Sequence, residues 1–521
     1  MADFDHIIVG SGINGLVCAA LLSRKGKRVA VLERSDRAGG CMRTEEITAP
    51  GFRHDVMAAT FVLFLTSPAH GELGADLARH GLEFCHTDKP TAVLRPDGSA
   101  LVLSTDRSAN VDAFNRLSAG DGDRHAIDVG AVEADAPFLF ALLGGKLWSI
   151  ATAKLLMQQA WKRGARGLAA WFGEALTPAR AWLETNYSSP HVQALWAPWV
   201  LHTGLTTEAT YGGQMGKVIA FALEAAGAPV VKGGAGQAAA AFTSLIEEHG
   251  GVVRTSVDVE RIIVRDGRAA GVATTSGEEI TAGTVICSVA PGQLHRRLLG
   301  EHSATNQSDL RTYRHGRGNF QLHYALDGPV RWKAGDLEDV ALIHLADGID
   351  SVSKSSNEAE RGMLPETPTI CVGQPHRLDQ GRCPEGRSIL WIQVPDAPRE
   401  IKGDAAGKIQ CSGIWDDTTR EAFADRIEAI LAGHITGFKK SVLARRAYSP
   451  ADLESLNINL VGGDPYGGSC AIDQFFIWRP HNGSVNHTTA IKGLHHIGAS
   501  THPGPGLGGG SGFLVAKELG A

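Results

Sequence analysis

Residues 4–33 constrain this chain more than any other stretch. Phe4 to Val9 is a short apolar run ending in β-branched residues, which reads as a buried strand. It runs into Gly10-Ser11-Gly12-Ile13-Asn14-Gly15, a complete GxGxxG, and Leu16 to Leu22 continue with helical character. Arg28 to Leu32 reads as a second strand and closes on Glu33. Strand, glycine turn, helix, strand and acid, in that order, are the context in which GxGxxG binds a dinucleotide. Gly10 permits the tight turn, Gly12 admits the pyrophosphate, and Gly15 lets helix and strand pack closely. Ser11 belongs to the same turn. The unpaired N–H groups and dipole of the helix N-terminus suit phosphates. Glu33 is placed for ribose hydroxyls, and its carboxylate disfavours the 2′-phosphate of NADP.

The residues after Glu33 choose between NAD and FAD. Arg34 opens a segment in which Gly39 and Gly40 let the chain curl over a long, extended cofactor, with Arg43 and Thr44 in reach of phosphate or ribityl oxygens. A nicotinamide dehydrogenase has no need of this second loop. Glycine makes up 63 of 521 residues, well above the ~7% of average chains. A further cluster runs from Gly504 to Gly512.

Composition removes other classes. At 521 residues the chain exceeds the ~250–300 at which one core stops growing, so two joined domains are expected. A net charge of −6 and a pI near 6.4 argue against a nucleic-acid partner. The eight cysteines form no CxxC pair, so no metal site is expected and a reducing, cytoplasmic setting is. Asp3 and Asp5 lead straight into the first strand, without a signal-peptide pattern.

At the double-glycine segment, Gly39-Gly40-Cys41-Met42-Arg43-Thr44 with Pro50-Gly51-Phe52, the sequence resembles the flavin-dependent family of phytoene desaturases and amine oxidases. The likeness is nearest to its phytoene-dehydrogenase-related branch. It continues through Gly233-Gly234-Ala235-Gly236 and the strand around Val259, and through Asp473 to Phe476 with Arg479-Pro480. It ends on Gly493 to Gly504, which resembles the closing flavin motif. The resemblance implies FAD as cofactor, a backbone contact from Val259 to the adenine, and a last helix whose N-terminus faces the flavin. Gly498, Gly506 and Leu507 join the cofactor set on that ground. Departures lie where the ring belongs: Asp55-Val56-Met57 replaces the family's Asp-x-Gly, and Gly504-Pro505-Gly506 replaces its triple glycine.

The fold class expected is α/β: a Rossmann-like FAD-binding domain of the glutathione-reductase and amine-oxidase type, with an inserted α+β substrate domain. Residues 1–105, 230–300 and 480–521 would form the former; 106–229 and 301–479 would form the latter, with a helical subdomain. Six of the ten tryptophans fall between Trp148 and Trp199. They read as a helical core ahead of an apolar tunnel opening at a membrane surface, and a peripheral membrane contact is the partner that second reading implies. Ser353 to Gly362 reads as a polar loop.

The implied chemistry is hydride removal by FAD from a hydrophobic or aromatic small molecule, by C–C desaturation, with electrons passing to oxygen, a quinone or another acceptor. Amine oxidation and polyene saturation or isomerisation are the alternatives on the same scaffold. A flavin-free binding protein like the Rab GDP-dissociation inhibitors is the non-enzymatic one. Candidate bases are His54, Asp55, His202 and His502, each with a packing or turn role as its competitor. Cys41 reads as a packing residue ahead of a covalent flavin attachment point.

Overall fold

The structure, a computed structural model, describes residues 2–303 and 307–521 and is built on two seven-stranded sheets. Strand β1 (Phe4–Val9) leads through the glycine turn into helix α1 (Ile13–Arg24) and back along strand β2 (Val29–Leu32). β1 pairs in parallel with β2, Val9 opposite Leu32, and with Glu279–Ser288, Val9 opposite Cys287. Val252–Arg254 extends the parallel sheet beyond β2, and Leu494–Ile497 extends it beyond Glu279–Ser288. Distant stretches of chain therefore share one sheet. Both faces of this pair of strands are covered, Ile8, Val29 and Val31 by the helices and Ile7, Val9, Ala30 and Leu32 by the strands that carry Val259, Ile262 and Val272, which is why Ile7–Val9 and β2 are apolar throughout. α1 is buried from Ile13 to Ser23 and packs against Ala235–Glu248 and Gly510–Glu518. Asp266 and Gly267, both at positive φ, turn the hairpin between Val259–Arg265 and Arg268–Thr274.

The second sheet runs in the order Val442–Tyr448, Gly318–Leu326, Ser388–Ala397, Ile370–Gly373, Leu342–Leu345, Thr91–Leu94, Ala100–Leu103. Its last two strands correct the domain boundary expected at residue 105. They leave the nucleotide-binding sheet because Thr91–Leu94 pairs in parallel with Leu342–Leu345, Thr91 opposite Leu342. One face packs on the helix Asp417–His434, with Phe320, Leu322, Tyr324, Ile392, Phe423 and Ile427 in a common core. Side chains alternate along a strand, so Asn319, Gln321 and His323 fall on the opposite face. The segment read as a polar loop is also corrected. Most of it belongs to the helix Ile349–Glu360, whose Ile349, Val352, Ser355, Ser356 and Ala359 form a buried stripe beneath charged neighbours.

Helices Asp121–Gly144, Ile150–Ala175, Ala179–Asn186, Pro190–Leu201 and Gly212–Ala226 form a block beside the second sheet. Trp182, Trp196 and Trp199 are buried in the core that joins this block to Val93 and Leu342, whereas Trp148 and Trp161 are exposed. The core reading of the tryptophans thus holds for some of them and fails for others. Among the described residues no helix is long and apolar enough to cross a membrane.

Candidate functional site

A cavity of about 1120 Å³ runs from the glycine turn into the space between the helical block and the second sheet. That exceeds the ~300–1,000 Å³ of a pocket for one drug-sized molecule. Gly10, Ser11, Gly12, Glu33, Arg34, Gly39, Gly40, Arg43, Val259, Gly498, Gly506 and Leu507 line it. Gly15 does not: its Cβ would stand 2.3 Å from the Gly10 carbonyl oxygen, so its bareness serves the packing of α1 on the turn. Gly12 is the opposite case. A Cβ there meets no atom within 4 Å, and the space it leaves belongs to the cavity.

α1 starts at Gly12 with neither a side-chain cap nor an acid in its first turn, which leaves its N–H groups for an anion. The last helix, Gly510–Glu518, starts the same way. Ser511 Oγ donates to Asn14 Oδ1 at 2.8 Å and accepts from Gly498 N at 2.9 Å. Gly512 lies so close to α1 that a Cβ would overlap the Asn14 carbonyl oxygen at 1.8 Å. Two helix N-termini from far-separated parts of the chain therefore converge, positive ends together. Glu33 Oε2 accepts from Ser11 N at 2.9 Å and Ser11 Oγ at 2.6 Å, and Ser11 Oγ accepts from Gly39 N at 3.0 Å. The end of β2 is thereby tied to the double-glycine loop. The Val259 carbonyl accepts from Arg297 Nη2 at 2.7 Å, a partner the sequence does not announce. Uncapped N–H groups, open space at Gly12 and an acid at the end of β2 fit the pyrophosphate and ribose of FAD.

Besides Gly15, four residues read as site residues stand outside the cavity lining. Asp55 is one. Its Oδ1 accepts from Thr44 Oγ1 and Ala235 N, both at 2.7 Å, and its Oδ2 accepts from Arg382 Nη2 at 2.8 Å. Thr44, the second, takes Gly236 N on Oγ1 at 2.9 Å. Helix Ala235–Glu248 opens on Gly234, which has no side chain, and Thr44 and Asp55 supply its cap from another part of the fold. Asp55 is thus a structural acceptor rather than a base. Arg382, fully buried, also donates to Asp379 Oδ2 at 2.8 Å. His54 bonds Thr48 Oγ1 through Nε2 at 2.7 Å and packs edge-on against His323; burial holds it down at about 2. The His502 ring is buried and pushed down to about 3, while the cavity wall resumes at Pro503 and Gly504. Neither histidine reaches the space where a substrate would lie. Cys41 does line the cavity, but burial pushes its thiol up to about 11, against the thiolate that flavin attachment requires.

Beyond the cradle the cavity is walled by Trp199, Ile219, Phe221, Leu342, Trp391 and Phe475. Its lining residues between 199 and 225, 319 and 393, and 453 and 475 include no Asp, Glu, Lys or Arg. Polar groups there are few. Gln321 opposes Gln393 across paired strands, and Asn319 Oδ1 and Gln321 Oε1 are buried with no hydrogen-bond partner among the described residues. An unpaired buried acceptor costs about 1–3 kcal/mol, which a bound donor removes. His202 also faces this chamber, and its Nε2 lies 2.8 Å from His344 Nε2, so one N–H sits between the rings. Burial holds His202 at about 4 and His344 well below the usual imidazole range. Cys371, opposite His344 across paired strands, brings its sulfur within 4.8 Å of both. Strand register makes this group, so no spacing along the chain signals it.

Arg479 is buried and donates to the carbonyls of Tyr466, Ser469 and Ala499, with its guanidinium 5.3 Å from the Phe475 ring centroid. Tyr466, Phe475 and Ala499 line the cavity. With no carboxylate on it among the described residues, this charge favours negative charge on the other side of that wall.

Comparison with known proteins agrees with this geometry. The family model for flavin containing amine oxidoreductases matches residues 134–403, and that for NAD(P)-binding Rossmann-like domains matches residues 8–77. The chain is 26% identical over 570 residues to pyridine nucleotide-disulfide oxidoreductase domain-containing protein 2 of Mus musculus, covering 99% of this chain and 93% of that one. It is 26% identical over 543 residues to a limonene dehydrogenase chain of Castellaniella defragrans, covering 99% and 94%. An oxidoreductase from Methanosarcina mazei superposes with a TM-score of 0.63 at 15% identity, covering 99% of both chains, and so shares the fold.

Proposed function

The chain belongs to the flavin-containing amine oxidoreductases and is an FAD-dependent oxidoreductase, and from that premise we propose that it dehydrogenates a neutral, largely apolar small molecule at a C–C bond. The observation that carries this reading is the uncharged chamber wall, continuous with the nucleotide cradle. A protonated amine entering the chamber would leave water without a carboxylate to receive it, at a cost of several kcal/mol. Limonene, which the Castellaniella relative is named for dehydrogenating, is a neutral hydrocarbon of the kind such a wall accepts.

FAD, when bound, supplies the two-electron acceptor that takes hydride from a substrate carbon. The residues of the chain do the rest. Gly12, the N–H groups opening α1 and Glu33 hold the dinucleotide; Trp199, Trp391 and Phe475 exclude water and hold the apolar body of the substrate. His202 is neutral at working pH. In the tautomer that donates Nε2–H to His344, its Nδ1 keeps a lone pair for the proton that leaves the neighbouring carbon. Asn319 Oδ1 and Gln321 Oε1 receive whatever donor the substrate carries.

Anaerobic bleaching of the flavin absorbance tests the reading. Cyclic and acyclic alkenes are expected to bleach it and polyamines to leave it yellow, and His202→Phe is expected to slow bleaching by about 10²–10⁴-fold. Faster bleaching by amines than by any neutral compound overturns the proposal. Transfer of the trapped electrons to oxygen or to a quinone then identifies the acceptor.

A further inference from the structure

Helix Ile150–Ala175 has 26 residues, and none of them is buried. It bends at Gly164, where φ is +72°. Its inner side is tied to Asp121–Gly144: Arg163 and Trp171 both bind Asp135, and Trp171 packs on Phe138 with ring centroids 4.9 Å apart. Its outer side carries Ile150, Met157 and Trp161, spaced by seven and then four residues and 77%, 67% and 92% exposed. That spacing puts them on one stripe of the helix. Lys154 sits within the stripe, with Lys162 and Arg166 nearby, and none of the three has an ion-pair partner among the described residues. No Asp or Glu occurs from residue 146 to 173, although the whole chain carries a net charge of −6.

The stripe follows in the chain on a wall of the cavity. Helix Asp121–Gly144 ends on Phe140, Leu143 and Gly144, which line it, and Phe140 is exposed to solvent as well. From Gly144 the chain passes through the exposed Trp148, held in place by two hydrogen bonds with Asn486, directly into the apolar stripe.

We propose that residues 146–166 lie on the surface of an anionic phospholipid membrane. Ile150, Met157 and Trp161 enter the boundary between headgroups and acyl chains, and Lys154, Lys162 and Arg166 meet the lipid phosphates. Self-association through this face would set the unpaired cations of one copy against those of the other. With the face on lipid, the cavity opens at Phe140 beside the bilayer, and an apolar substrate enters without crossing water. That last consequence rests on the neutral substrate proposed above; the docking does not.

The experiment is co-sedimentation of the FAD-loaded protein with phosphatidylcholine vesicles, with and without phosphatidylglycerol, in the absence of substrate. Binding is expected to vesicles containing phosphatidylglycerol and to fall with added salt. Replacing Lys154, Lys162 and Arg166 together by Gln is expected to weaken it on the order of 100-fold, at about 1 kcal/mol for each cation. Met157→Ser with Trp161→Ser is expected to abolish it. Flavin content and melting temperature should stay as in the parent, because the altered side chains are exposed. No binding to anionic vesicles, equal binding by the variants, or a dimer of the parent that Trp161→Ser splits would each overturn the proposal. Because no turnover is measured, failure here leaves the substrate reading to its own test.

Discussion

Replacing Gly12 by alanine asks whether the open space in the turn belongs to the ligand or to the fold. The backbone at Gly12 has φ −61° and ψ 167°, which any residue adopts, and the added Cβ meets no atom within 4 Å. Without cofactor the methyl costs little. Reduced freedom of the unfolded chain stabilises by about 0.4–1 kcal/mol, and alanine's poorer capping opposes this by a similar amount. For 521 residues, at about 2 cal/mol/K of unfolding entropy each, 1 kcal/mol moves the melting temperature by about 1 °C. The same change at Gly15 drives a Cβ to 2.3 Å from the Gly10 carbonyl oxygen, and such overpacking costs about 1–3 kcal/mol. Adding FAD changes the balance at Gly12. The methyl now stands where the pyrophosphate approaches the N–H groups of α1, and losing one charge-assisted hydrogen bond costs about 1.5–3 kcal/mol, or roughly 10- to 150-fold in affinity. Stripped protein is titrated with FAD by flavin fluorescence, and the stripped forms are melted by circular dichroism. Gly12→Ala is expected to melt within about 1–2 °C of the parent while binding FAD weakly. Unchanged FAD affinity refutes the assignment.

Two further outcomes follow from the buried charges and histidines. Arg382→Ala leaves Asp55 and Asp379 in the interior without their cation and is expected to cost about 3–5 kcal/mol in denaturant unfolding; a variant as stable as the parent removes the network from the account of the fold. Burial holds His54 at about 2, His323, His496 and His502 at about 3 and His202 at about 4, against an ordinary 6.5. Below pH 6.5 the unfolded chain therefore binds more protons than the fold. Their contribution is fully present above that pH and is lost as pH falls toward the folded values, by up to about 1.4 kcal/mol per pH unit for each histidine. Acid unfolding followed by circular dichroism is expected to take up several protons, and an uptake below one per molecule refutes the buried-neutral assignment.

The parts of the site that were legible in the sequence are those written contiguously. β1, the glycine turn, α1, β2 and Glu33 form one unbroken pattern, and the closing motif from Gly493 is equally local. What escaped is made by pairing across the chain. Thr91–Leu94 reads as a strand in either domain, and its parallel partner at Leu342–Leu345 decides which. Asp55 and His54 carry the right chemistry for a base, yet a helix that begins on glycine needs a cap, and Asp55 with Thr44 provides it. The carboxamides of Asn319 and Gln321 sit in an otherwise apolar strand. Alternation shows that they share a face, but the cavity behind that face appears only once Ser388–Ala397 and the helical block are in place. His202 was a candidate among four histidine and aspartate residues; the register of His344 and Cys371 separates it from the others.

The contact between Ser511 and Asn14 spans 497 positions. Closing a flexible loop of that length costs on the order of 5 kcal/mol in chain entropy, so the two halves of the cradle come together late. During synthesis a ribosome has exposed the first half long before the second exists, and the nascent polypeptide offers FAD an incomplete grip. The grip is complete only once the helix Gly510–Glu518 has been made and docked on α1. Afterwards the prosthetic group acts as a clasp, since ligand affinity is returned as resistance of the whole polypeptide to unravelling. A proteolytic nick near Gly509 would release the clasp as surely as damage at Gly12.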